Sequence, residues 1–185
     1  MRAGLFVAIF PTYFSPMKRI ITIGLLALTT SLTTSLSAQT PVQTAPAAKY
    51  IRTPTGFLMV LRQGDNVMQE LEQLAVREKI PGATLTGLGF VHPTFGFWNA
   101  QTKDYDPKSF RDTELASLTG SIAWKDNKPA LHLHGVVTDK AFTAHGGHIL
   151  ALEVSTGSVE INILVQPKRL IRAVDERNGA TVMGW

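Results

Sequence analysis

Apolar residues along the middle of the chain alternate more often than they recur at helical spacing, and that rhythm predicts a mostly extended protein. Phe57 to Arg62 (FLMVLR) reads as a first strand. Gly64-Asp65-Asn66 interrupts it, and Asp65 is placed to cap a helix running to about Lys79. Within that helix Val67, Met68, Leu71, Leu74 and Ala75 recur at helical spacing, so the stripe predicts core packing. Pro81-Gly82 ends it. Ala83 to Val91 (ATLTGLGFV) alternates small and large residues, as a buried strand does where a neighbour packs against its glycines.

Further strands are expected at Thr94 to Trp98, Glu114 to Trp124 and Ala130 to Val137, with a turn over Asn99 to Asp106. Lys125-Asp126-Asn127-Lys128-Pro129 reads as a hairpin turn. Gly147 to Val154 and Ser158 to Gln166 are expected as two last strands joined at Thr156-Gly157. In the tail, Leu170, Ile171 and Val174 give Lys168 to Arg177 a partial helical face, with Gly179 to Trp185 as a loose end. One helix among about seven strands predicts an α+β fold with a mainly antiparallel sheet covered on one side.

The beginning of the chain follows a different pattern. Met17-Lys18-Arg19, the apolar run Ile20 to Leu28 and a Ser/Thr-rich stretch ending at Ser37-Ala38-Gln39 have the three-part layout of a secretory signal. The apolar run is about half the length of a membrane-spanning helix. Residues 1–38 are therefore expected to be a signal peptide, with Met17 a candidate start and an uncleaved N-terminal anchor the alternative. Residues 39–50 read as a disordered Pro/Ala/Thr/Gln spacer. A single domain over 51–167 and a tail over 168–185 complete the division. The expected location is periplasmic or secreted, with no stable membrane span once the signal is cleaved.

This division changes the charge argument. The chain has 18 Lys+Arg against 14 Asp+Glu. Removing Arg2, Lys18 and Arg19 leaves 15 against 14, and the last stretch from Pro167 holds four of those bases against two acids. The part between carries 11 bases against 12 acids. A nucleic-acid-binding domain carries a basic stripe, and this balance argues against one. The absence of cysteine rules out disulfides and thiolate zinc sites.

Chemistry concentrates in one place. Four of the five histidines lie between positions 132 and 148. His132 and His134 alternate on one strand, so their rings project from the same face. His148 follows Gly146-Gly147, whose conformational freedom lets it approach a facing strand. The three nitrogens suit zinc or another divalent metal with a fourth position open. The competing reading is a polar strand face with the imidazoles hydrogen-bonded to each other or to backbone. His145 is a candidate fourth nitrogen whose direction the two glycines leave open. His92, before Pro93, reads as a turn residue without a role.

No acid has a clear claim as a general base. Glu153 falls on the face opposite His148 if the strand is regular. Asp139 either reaches the site or caps a loop, and the loop is favoured. A cupin site expects a carboxylate a few residues after His-x-His, and the spacing to Asp139 misses by about one residue. No serine lies in a Gly-x-Ser-x-Gly context.

The order of the pieces is similar to the plant-and-prokaryote-conserved (PPC) domain. The resemblance runs from about Thr55 to Gln166 and rests on Ser117-Leu118-Thr119-Gly120, the Pro129-to-His134 strand and Gly146-Gly147-His148 together. It implies an α/β domain with a seven-stranded sheet assembled as a homotrimer, strands crossing subunit boundaries. In plants the domain follows a DNA-binding AT-hook and itself supports oligomerisation and protein partnering. The Arg-Gly-Arg-Pro core of that hook is absent. The plant partner-binding segment Gly-Arg-Phe-Glu-Ile-Leu is replaced by Arg111-Asp112-Thr113-Glu114-Leu115-Ala116.

His132, His134 and His148 fall on the family's His-x-His and Gly-Gly-His positions, where the resemblance implies a metal in some prokaryotic relatives. The expectation is an exported trimeric binding module, with a small-molecule or protein partner and a metal or small ligand on the histidines. A metal-dependent enzyme of hydrolase type is the alternative, and DNA binding by family association is disfavoured.

Overall fold

The computed structural model describes residues 48–177 and 179–184. The leader and most of the spacer, the signal-peptide expectation included, lie outside those residues, as does Trp185. Among the described residues the elements run β1 (Tyr50–Thr53), β2 (Gly56–Arg62), α1 (Val67–Arg77), β3 (Ala83–Asn99), β4 (Asp104–Ser109), β5 (Thr113–Lys125), β6 (Lys128–Thr138), β7 (Ala144–Val165), β8 (Ile171–Val174) and β9 (Thr181–Gly184). One helix and a large sheet agree with the pattern of the sequence, but the sheet has nine strands instead of seven.

The sheet is mixed. Its long strands pair antiparallel, while β8 runs parallel to β5 through Trp124 and Ile171. Strands β3, β5, β6 and β7 pair in a closed ring, β3 with β5, β5 with β6, β6 with β7 and β7 with β3. Closing so few strands demands strong coiling, and bulges supply it. Register shifts occur at Gly87/Gly89 and at Leu115/Ser117. Gly89 has φ of +153°, and a Cβ there would lie 2.3 Å from the Ser158 carbonyl oxygen. Only glycine fits that approach.

Helix α1 covers one face of β6 and β7. Val67, Leu71, Leu74 and Ala75 are its buried positions, and they join Leu61, Leu115, Leu133, Val137, Ile149 and Ile161 in one core. Burying each Val or Leu stabilises by about 1.5–3 kcal/mol. The cap is Asn66, whose side-chain oxygen accepts from the Gln69 N–H at 3.0 Å. Asp65 was the expected cap. Its carboxylate instead accepts the Arg62 N–H and pairs with Lys49 Nζ at 2.8 Å, tying the start of the domain to the helix.

Three boundaries differ from the sequence pattern for identifiable reasons. Ala83–Val91 and Thr94–Trp98 are one strand, because His92-Pro93 falls where β3 exchanges partner β5 for β4. Pro93 lacks an N–H just where no neighbour asks for one, and its carbonyl accepts from Phe110. His92 is accordingly no turn residue; its Nδ1 accepts from the Asp112 N–H at 3.1 Å.

Thr156-Gly157 does not divide β7 either. Val154 opposes Val91 and Val159 opposes Gly89, so the intervening residues form a wide bulge in a continuous strand. The tail is a β-hairpin where a helix was expected. Trp124 donates its backbone N–H to the Leu170 carbonyl, and Arg169 lies 4.4 Å over the Trp124 ring. The open end of β5 offers the tail a pairing edge that a short isolated helix lacks.

Candidate metal centre

The histidine pair projects from the face of β6 turned away from the core. Leu133 between them is fully buried, so alternation sends His132 and His134 outward together. His148 of β7 pairs directly with His134 across the ladder, which brings its ring to the same face. Gly146 makes that pairing possible: a Cβ there would lie 2.6 Å from the Gly135 carbonyl oxygen.

The three rings meet. One ring nitrogen from each of His132, His134 and His148 lies within 4.8 Å of the others. The Nε2 atoms of His132 and His134 are 3.2 Å apart. With zinc–nitrogen bonds of about 2.0–2.1 Å, two ligands of a tetrahedral ion sit about 3.3 Å apart. The pair therefore already stands at coordination spacing. His134 is the exposed member and His132 and His148 are half-buried, leaving the outer side open to solvent.

Electrostatics favour the neutral form of His132 and His148. Burial, followed by the charges of His132, His134 and Arg172, pushes the His148 pKa down to about 4. Burial also lowers that of His132, with smaller contributions from Arg172 and His134. A neutral imidazole is the form that ligates a metal. His148 Nδ1 is buried without a hydrogen-bond partner, an unsatisfied polar atom of the kind that calls for an explanation such as a bound ion. The residues thus fit a divalent ion.

Two neighbours escaped the sequence reading. Tyr105 of β4 stacks flat on His148, ring centroids 4.5 Å apart and planes 7° apart. It can do so because Gly96 is opposite His148 in the sheet and carries no side chain; a Cβ there would meet Tyr105 at 2.8 Å. Arg172 of β8 is 6 % exposed and donates from Nη2 to Ser121 Oγ at 2.8 Å. Ser121 is the cross-strand partner of His132, so the tail hairpin delivers a cation to the edge of the cluster. A glycine between Phe95 and Phe97, and a lone arginine in the extended pattern IRAV, were the available signals.

The other candidates sit elsewhere. His145 Nε2 pairs with Asp139 at 3.1 Å and its ring stacks on Phe110, so it is not a fourth nitrogen of the cluster. Asp139 caps its own loop by accepting from the N–H groups of Ala141 and Thr143. Glu153 corrects an assumption of regularity. Leu150 is an extra residue between the Thr94–Ala151 and Phe95–Ile149 pairs, which turns Glu153 to the face of His148. It nevertheless pairs with His92, four positions along β3 from the Gly96 that His148 faces, and is not a member of the cluster.

Comparison with known proteins agrees with this architecture. The chain is 55% identical to a Ralstonia eutropha protein whose name gives it a provisional DNA-binding role, with TM-score 0.73 over 74% of this chain and 96% of that one. A metal-containing protein from Archaeoglobus fulgidus is 26% identical, TM-score 0.63, over 72% and 96%. A plant- and prokaryote-conserved protein from Pyrococcus horikoshii shares the fold at 22% identity, TM-score 0.62, over 71% and 92%. No curated protein matches the chain. The sequence pattern of the Plants and Prokaryotes Conserved (PCC) domain spans residues 49–165. With that span and this fold, the chain belongs to the Plants and Prokaryotes Conserved domain family.

Proposed function

We propose that this protein is an exported, trimeric binding module whose His132, His134 and His148 hold one divalent metal ion, zinc being the best match to three nitrogens. The observation that carries the reading is the convergence of three imidazole nitrogens within 4.8 Å on an outward face. Three imidazole ligands leave a coordination position for an exogenous ligand. The name of the Archaeoglobus protein, which calls it metal-containing, supports the same reading. Export is supported by the three-part leader, and among the described residues no helix is long and apolar enough to cross a membrane. Trimerisation is the assembly that family membership favours.

Binding is favoured over hydrolysis because no carboxylate belongs to the cluster among the described residues, and zinc hydrolases need a base beside the bound water. The name of the Ralstonia relative favours DNA instead. The near-neutral balance of the domain, 11 bases against 12 acids from Gln39 to Gln166, works against it.

Metal analysis and native mass on one untagged sample test the proposal. The expected result is one metal per chain in a trimer, lost in His132→Ala and His148→Ala, with no gel shift of duplex DNA at physiological salt. A protein that stays metal-free after zinc reconstitution overturns the metal assignment. Chelator-sensitive turnover would replace the binding module with an enzyme.

A further inference from the structure

Arg172 is a buried cation that lacks a counter-charge among the described residues. Two of its three nitrogens are occupied: Nη2 donates to Ser121 Oγ at 2.8 Å and Nη1 to the Thr181 carbonyl oxygen at 3.5 Å. Nε is buried without a partner. No carboxylate among the described residues makes an ion pair or hydrogen bond with the guanidinium, and burial is the one influence on its ionisation, lowering its pKa. A buried charge is ordinarily paired, and an unsatisfied one costs several kcal/mol.

Its position sharpens the question. Ser121, which anchors Arg172, pairs across the ladder with His132, and the guanidinium charge is felt at both His132 and His148. A dication on the three histidines would add positive charge beside an arginine that already has none to offset it. An anion shared by the two relieves both. Nη2 has a second hydrogen, and Nε–H has no partner, so the guanidinium has charged donors left for a carboxylate oxygen.

We propose that Arg172 is a ligand-binding residue, and that the module takes a small carboxylate as its exogenous ligand, one carboxylate oxygen on the metal and the other held by the Arg172 guanidinium. This rests on the three-histidine metal reading and names the ligand class of that site. Arg172 comes from β8, beyond the 49–165 span of the family pattern, so the tail hairpin supplies the selectivity. Trp124 and Gly82 fix it there: a Cβ on Gly82 would lie 2.4 Å from Leu170, and Trp124 holds the Leu170 carbonyl.

The test uses cobalt(II) in place of zinc in the whole protein, with the visible spectrum reporting the coordination sphere. Acetate and inorganic phosphate are titrated separately. The expected result is a spectral change with acetate that Arg172→Gln weakens about tenfold or more while cobalt stoichiometry is unchanged, and that Arg172→Lys partly restores. Equal acetate affinity in wild type and Arg172→Gln overturns the assignment of Arg172, as does a response to phosphate with none to acetate. Absence of cobalt binding in wild type is a different failure: it removes the metal reading and this proposal with it. Circular dichroism checks the fold of each variant. If Arg172→Gln does not fold, Ser121→Ala, which frees one anchor only, must weaken acetate by a smaller factor; unchanged affinity then counts against the proposal.

Discussion

Tyr105 lies flat against His148, 7° from parallel, across the gap left by Gly96. The stack fixes the ring plane of the one cluster histidine that comes from a different hairpin, so β4 sets the direction of the third nitrogen without contributing a ligand. Orientation of metal-ligating rings by their surroundings is worth 10–100-fold in affinity. Tyr105→Ala is therefore expected to weaken zinc binding by about tenfold, whereas Tyr105→Phe, which keeps the stack, leaves it near wild type. Competition against a chromophoric chelator gives both affinities. Equal losses in the two variants would show that the hydroxyl, and not the stacked ring, matters.

The depressed pKa of His148 makes metal-free stability depend on pH with a definite sign. The unfolded chain takes up its proton near the ordinary value of 6.5, while the folded chain resists until about 4. Unfolding thus absorbs a proton between those values, and stability falls as pH drops through that window. Above 6.5 the contribution is constant. The expected loss between pH 7 and pH 4.5 is on the order of 2 kcal/mol, read from urea midpoints of the apo protein. His148→Gln should flatten that part of the curve; an undiminished slope would place the responsible group elsewhere.

What the sequence disclosed and what it hid follow one physical division. His132 and His134 are two residues apart on a strand, and the pleat alone puts them on one face. His148 needed a partner strand, and Gly146-Gly147 advertised the close approach that the structure contains. Arg172 arrives from forty positions away on a hairpin whose β-branched residues imitate a partial helical face. Its role depends on the free end of β5 at Trp124, which no local pattern reveals. Glu153 shows the other limit. A single bulged residue, Leu150, reversed the face that strict alternation assigned to it.

Gly120 holds the two middle strands of the site together at close range. A Cβ at this position would stand 2.2 Å from the His132 carbonyl oxygen and 2.6 Å from the Leu133 side chain. One is backbone and the other a fully buried side chain, so β5 and β6 must separate to admit it. Gly120→Ala should destabilise by about 1–3 kcal/mol and move His132 off its 3.2 Å spacing to His134. Thermal melts with and without zinc check the two effects together: the zinc-induced rise in Tm shrinks along with the apo Tm. A variant with wild-type zinc response would mean the strands part without disturbing the ligand pair.

Asp139 separates His145 from the clustered histidines. Its carboxylate collects the N–H groups of Ala141 and Thr143 and pairs with His145 Nε2, and its carbonyl accepts from Phe142, which sits at φ of +60°. A phenylalanine in that left-handed conformation persists only where its surroundings hold it. Asp139→Ala removes three of those bonds at once, so amide exchange should quicken at Ala141 and Thr143 and the melting temperature should fall by about 3 °C. Metal stoichiometry is expected to stay at the wild-type value, because His145 stacks on Phe110 and takes no part in the cluster. Loss of metal in this variant would instead show that the 139–145 loop reaches the centre, and the ligand set would have to be widened to four nitrogens.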